Sequence, residues 1–157
     1  MPRGSGDKLF PEAKMKITQM SVFIENTKGK LYELCAILGA NNINIKALTL
    51  AESPEFGIVR LVVDRAEEAV KLLKENGFIA SMADIVAVEV SDTPGGLAAA
   101  LKVLSDNDVN IEYMYGFVEK TSDKALMVFK FEDIDRAITV LCKNGVSIIS
   151  KDKICQS

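Results

Sequence analysis

Two short stretches place glycine at the mouth of a helix, and both carry groups suited to holding a small charged molecule. Asn26-Thr27-Lys28-Gly29-Lys30-Leu31 and Asp92-Thr93-Pro94-Gly95-Gly96-Leu97 each lead from an alternating apolar run into a helical one. Glycine lets a ligand approach the backbone closely, and the N–H groups of a helix's first turn attract a carboxylate. Asn26 or Asp92 can add a hydrogen bond, and Asp92 can pair with an ammonium group while the amides take the carboxylate. Together these describe a free amino acid as ligand. Proline near N1, glycine in the turn and Asn, Asp or Thr before a helix are also ordinary capping chemistry, sufficient to explain either loop without a ligand. Lys28 and Lys30 can receive a carboxylate, or stay solvated near a helix start.

The rest of the inventory argues against catalysis. The 157 residues contain no histidine, which removes the commonest general base, the Ser-His and Cys-His nucleophile pairs and the commonest zinc ligand. Cys35, Cys142 and Cys155 are odd in number and far apart, with no Cys-x-x-Cys pair, so neither a disulfide framework nor a metal site is implied and no cofactor is called for. Reduced thiols point to the cytoplasm. A net charge of -3 lacks the basic footprint of a nucleic-acid binder, and no apolar run approaches the roughly 18 residues of a membrane span.

The elements that position the two loops come from a repeat. Thr27 to Leu31 falls on Thr93 to Leu97, and Asn41-Asn42-Ile43-Asn44-Ile45 on Asn107-Asp108-Val109-Asn110-Ile111, an offset of 66. Further along, Glu75-Asn76-Gly77 meets Lys143-Asn144-Gly145 at an offset of 68, so the second copy carries extra residues near Lys120 to Lys124. In each copy a strand-like alternation (Met20, Val22, Ile24; Val86, Val88, Val90) gives way to helical spacing (Leu31, Leu34, Cys35, Leu38; Leu97, Ala100, Leu101, Leu104), with Asn42 and Asp108 ending the helices. Second strands follow over 44–51 and 110–119. Third strands hold Val59, Leu61 and Val63, and Met127, Phe129 and Phe131. Second helices stop at the two Asn-Gly pairs, where glycine supplies a left-handed cap, and fourth strands cover 79–82 and 146–150.

Each copy thus reads strand-helix-strand-strand-helix-strand. The fold class is α+β: two tandem ferredoxin-like βαββαβ units packed side by side, each an antiparallel sheet with helices on one face. Residues 1–15 read as a disordered leader, with Met1 or Met15 as the start. The first unit spans 16–82, the second 83–152, and 153–157 form a tail. Met82 to Ile85 leaves almost no linker, and units this small are expected to pack closely on one another. Other uses of such a sheet fail on residue type. Phe129 and Phe131 share phase with Met127, the pattern of core rather than of an RNA-binding face, and neither first loop holds the cysteines of a metal chaperone or the arginine of a phosphate cradle.

The stretch 88–111, VEVSDTPGGLAAALKVLSDNDVNI, resembles the signature of the ACT domain family. The first copy, FIENTKGKLYELCAILGANNINI, resembles it too, with Lys28 where the family usually has proline and Asn26 where it often has aspartate. The resemblance covers nearly all of 17–150 and implies a non-catalytic, allosteric amino-acid-binding regulatory protein. It implies a ligand held at the interface of two domains, by Asn26 to Leu31 or Asp92 to Leu97 on one side and the second strand of a neighbour on the other, around Asn44 to Leu48 and Asn110 to Tyr115. Asn44 and Asn110 are candidates for a ligand hydrogen bond, or simple turn residues. Tyr113, Met114 and Tyr115 stand where the first copy has only Ala47, Leu48 and Thr49, so any two sites would differ in size, although aromatics at a contact between two sheets would look the same. The implied partners are the free amino acid, a homodimer mate, and a metabolic enzyme or regulator in trans, with no nucleic acid and no membrane. The competing expectation is an assembly module that pairs protomers or docks on an enzyme without binding a ligand.

Overall fold

The computed structural model describes residues 14–118 and 123–155. Residues 119–122, in the stretch where the second copy carries its extra residues, and all but the last two residues of the leader lie outside that range. The elements are β1 (Ile17–Glu25), α1 (Lys30–Ala40), β2 (Ile45–Glu52), β3 (Phe56–Val63), α2 (Ala66–Glu75), β4 (Ile79–Ser91), α3 (Gly96–Asp106), β5 (Ile111–Gly116), β6 (Lys124–Phe131), α4 (Ile134–Lys143), β7 (Ser147–Ile149) and α5 (Lys151–Cys155). They form two compact units, and the division falls inside β4, between Ala83 and Asp84. β4 runs unbroken through 82–85, with no glycine or proline there to break it, so the two strands expected there are one.

In the unit Thr18–Ala83 the strand order is β2-β3-β1-β4. β1 pairs antiparallel with β3 from Met20↔Leu61 to Glu25↔Phe56, and β2 pairs with β3 from Ile45↔Val63 to Glu52↔Gly57. Alternation puts Met20, Val22 and Ile24 on one face of the sheet, where they meet Leu34 and Leu38 of α1 and Ala69, Val70 and Leu73 of α2 in a single buried cluster. At roughly 25 cal/mol per Å² of apolar surface, such burial dominates the unit's stability.

The unit that includes Asp84–Ile154 repeats the plan with the order β5-β6-β4-β7. Val86, Val88 and Val90 pack with Leu104, Ala137, Ile138 and Leu141, and with Phe129 and Phe131, whose rings stack at 5.6 Å. Those two phenylalanines are buried, as their phase requires. The leader and tail differ from expectation. Met15 packs against this core, and Lys16 Nζ lies 2.7 Å from Asp135 Oδ1, so the chain just before β1 belongs with the second copy. The start of the tail is helical, and Ile154 is buried. An apolar residue in a short polar segment gives too weak a periodicity to read from sequence.

Candidate functional site

The two glycine loops have the same backbone. Lys30 N–H donates to the Thr27 carbonyl at 3.3 Å and Gly96 N–H to the Thr93 carbonyl at 2.9 Å. The third residue of each turn, Gly29 (φ 89°, ψ -8°) and Gly95 (φ 85°, ψ -6°), has the left-handed geometry of a type II turn. Pro94 suits the position before Gly95, whereas the first copy has Lys28 there. Open space surrounds the position a Cβ would take at Gly29 and Gly95. The N-cap positions of α1 and α3 are Gly29 and Gly95, which have no side chain to cap with, and both lie in an exposed loop. The backbones of Asn26 and Asp92 fasten each loop to the neighbouring hairpin, through Asn26 N–H to the Glu55 carbonyl (3.2 Å) and Asp92 N–H to the Asp123 carbonyl (3.1 Å). Asn26 Nδ2 also donates to the Pro54 carbonyl at 3.4 Å.

Gly96 has a separate role. A Cβ there would collide with the Ser91 carbonyl, so the second loop closes against the end of β4 in a way that only glycine permits. Lys30 stands at the matching position of the first loop, and its Nζ lies 3.5 Å from Glu33 Oε2 and 6.0 Å from the centre of the Phe78 ring. Leu31 and Leu97 turn inward and pack on the cores of their own units.

The second-strand candidates lie elsewhere. The loop meets its sheet at the Glu25↔Phe56 end, while Asn44 precedes the Ile45↔Val63 end, roughly 20 Å away along the strands. Asn44 and Asn110 sit in turns. Asn44 N–H donates to Asp64 Oδ1 at 3.2 Å, and Asn110 Nδ2 to Glu132 Oε2 at 2.8 Å. Tyr113 and Tyr115 stack at 6.5 Å on β5, and Met114, on the alternate face, packs on the core. Within a unit, then, the loop and the second-strand entrance are held apart. The strand also begins one residue later than expected in both copies, because Asn44 and Asn110 are committed to those turns.

A cleft of about 220 Å³ opens beside the first loop, lined by Phe23, Glu25, Lys30, Phe56, Phe78 and Ile79. Of these only Lys30 stood out in the sequence. Burial pushes the thiol of Cys35 up from its ordinary value of 9.0, as expected for an inert core cysteine. Among the described residues no group of His, Cys, Asp or Glu is arranged to hold a metal ion, and no helix is long and apolar enough to cross a membrane.

Two consecutive βαββαβ units with matching glycine loops define a tandem pair of ferredoxin-like domains. Residues 15–156 match the ACT domain pair family, and the chain belongs to it. No curated protein matches the chain. Among solved structures, a protein from Bacteroides thetaiotaomicron is 35% identical, with a TM-score of 0.85 over 91% of this chain and 98% of that one. The regulatory subunit of aspartate kinase from Thermus thermophilus, in a ligand-free form, is 19% identical, with a TM-score of 0.62 over 82% of this chain and 93% of that one. Its counterpart from Thermus flavus is 18% identical, with a TM-score of 0.56 over 82% and 92%. These last two share the fold. The match brings no catalytic family with it.

Proposed function

We propose that this protein is a non-catalytic regulator that binds a free amino acid at the glycine loops of its ACT units and passes occupancy to a protein partner in the cytoplasm. One observation carries the reading: the same type II turn, with a left-handed glycine leading into a helix N-terminus, is built twice at the same place. Backbone amides with a helix dipole behind them favour a carboxylate, and open space at Gly29 and Gly95 leaves room for it. The partner is a metabolic enzyme or regulator in trans, or a second copy of the chain, whose preferred state the bound ligand shifts by mass action. The fold shared with a regulatory subunit of aspartate kinase supports that assignment.

Isothermal titration of the full chain against the proteinogenic amino acids tests it. At least one should bind, and Gly95→Ala, which puts a methyl group where the ligand approaches, should weaken the second-loop site at a folding cost of about 1 kcal/mol. Absence of any response at millimolar ligand would leave an assembly module as the function.

A further inference from the structure

The two copies act as controls on one another. The pairs Glu25↔Phe56 and Ser91↔Lys124 occupy the same place in their sheets, so Phe23 corresponds to Glu89, Lys30 to Gly96, Phe56 to Lys124, Phe78 to Val146 and Ile79 to Ser147. The second unit therefore completes the same architecture with Glu89, Lys124 and Ser147 at positions where the first unit has Phe23, 49% exposed, Phe56, 52% exposed, and Ile79, 71% exposed. The fold does not ask for apolar groups there. Large apolar side chains left in water and gathered in one place mark a binding surface.

These three surround the cleft of about 220 Å³, and Phe78 forms part of its wall. The Lys30 ammonium, 6.0 Å from the Phe78 ring centre, and the exposed carboxylate of Glu25 bring opposite charges to the same opening. At about 30 Å³ per water the cleft has room for about seven, below the ~300 Å³ at which drug-sized sites begin. That is the size class of a single small zwitterion with an apolar body.

We propose that this first-unit cleft selects a free amino acid with a large apolar side chain, aromatic or branched. Lys30 takes the carboxylate, Glu25 the ammonium, and Phe23, Phe56 and Ile79 cover the side chain. The proposal rests on the amino-acid-binding reading above and names its ligand class and the unit that does the selecting.

The test exchanges cleft residues for those the second copy already carries, Phe56→Lys together with Ile79→Ser, a change the same architecture tolerates. L-phenylalanine and L-leucine, with glycine, L-aspartate and L-lysine for comparison, are titrated into the full chain by calorimetry, with circular dichroism to check folding. The apolar ligands should bind the parent chain and bind the double variant about ten-fold or more weakly. Equal affinity in parent and double variant would overturn the cleft assignment. So would a parent chain that responds only to glycine, aspartate or lysine, a result that leaves amino-acid binding itself standing. No response to any amino acid would remove both. Light scattering covers the remaining outcome: a dimer that falls apart in the double variant, with no ligand response, would mean that a second copy fills the cleft, and would also overturn it.

Discussion

Gly95 and Gly96 are adjacent and identical in sequence, yet different physics holds each in place. Gly95 is glycine because its φ of 85° is costly for any residue with a Cβ, and Gly96 because a Cβ would strike the Ser91 carbonyl. Backbone cannot swing aside as a flexible side chain can, so Gly96→Ala should cost about 2 kcal/mol or more in urea unfolding. Lys30→Ala, at the equivalent place in the first copy, should fall within about 0.5 kcal/mol of the parent, as for an ordinary surface change. Equal effects at the two positions would show that the loops approach their strands alike. The sequence marks both glycines as special, but the close approach at Gly96 depends on where the carbonyl at the end of β4 points.

All four long helices end in the same device. An Asn at the C-cap donates from Nδ2 to the carbonyl four residues back, as in Asn41 to Ile37 (2.9 Å) and Asn76 to Leu72 (2.8 Å), and in Asn107 to Val103 and Asn144 to Val140 (both 2.8 Å). The next residue is left-handed, and an apolar residue after it donates back to a leucine carbonyl: Ile43 to Leu38, Phe78 to Leu73, Val109 to Leu104 and Val146 to Leu141. This is the Schellman pattern with its hydrophobic contact. Gly77 and Gly145 hold the left-handed position in α2 and α4, while Asn42 (φ 61°) and Asp108 (φ 55°) hold it in α1 and α3. Glycine avoids the Cβ penalty there, so Asp108→Gly should stabilise the protein by about 0.5–1 kcal/mol, read as a higher urea midpoint with an unchanged slope. A drop in midpoint would mean that the Asp108 side chain holds the turn. The helix ends at Asn42 and Asp108 and the glycine caps were legible because they depend on near neighbours in the chain, whereas the Asn side-chain bonds and the apolar residue that closes each turn emerged only from the structure.

For the molecule as a whole, the segment before β1 is the informative exception. Met15 is only a few residues from the first repeat in sequence but packs on the core built by residues after Asp84, with its Sδ 3.8 Å from the Cys142 Sγ. Met15→Ala should therefore destabilise by about 1–3 kcal/mol. A fragment that begins at Asp84 should lose at least as much, because it also lacks the Lys16 to Asp135 pair. If such a fragment proved as stable as the same unit within the full chain, the packing of Met15 would carry no weight. Nothing in Lys14-Met15-Lys16 announces this partner, since the contact joins positions 127 residues apart.

The amino-acid sequence by itself determined the repeat, the glycine at each loop, the burial phase of the strands and, apart from the merged β4 and the short helix α5, the order and kind of the elements. Those properties follow from periodicity and turn chemistry, which act between near neighbours along the chain. Tertiary structure decided what comes together in space. Strand register carried Asn44 and Asn110 to the far end of the sheet from the loops of their own units. It also gathered Phe23, Lys30, Phe56 and Ile79, scattered over more than fifty residues, around one cleft that the second copy does not line in the same way. Strand pairing brings together residues that local pattern cannot connect, and for that reason the chemistry of the loops was readable in advance and the walls of the cleft were not.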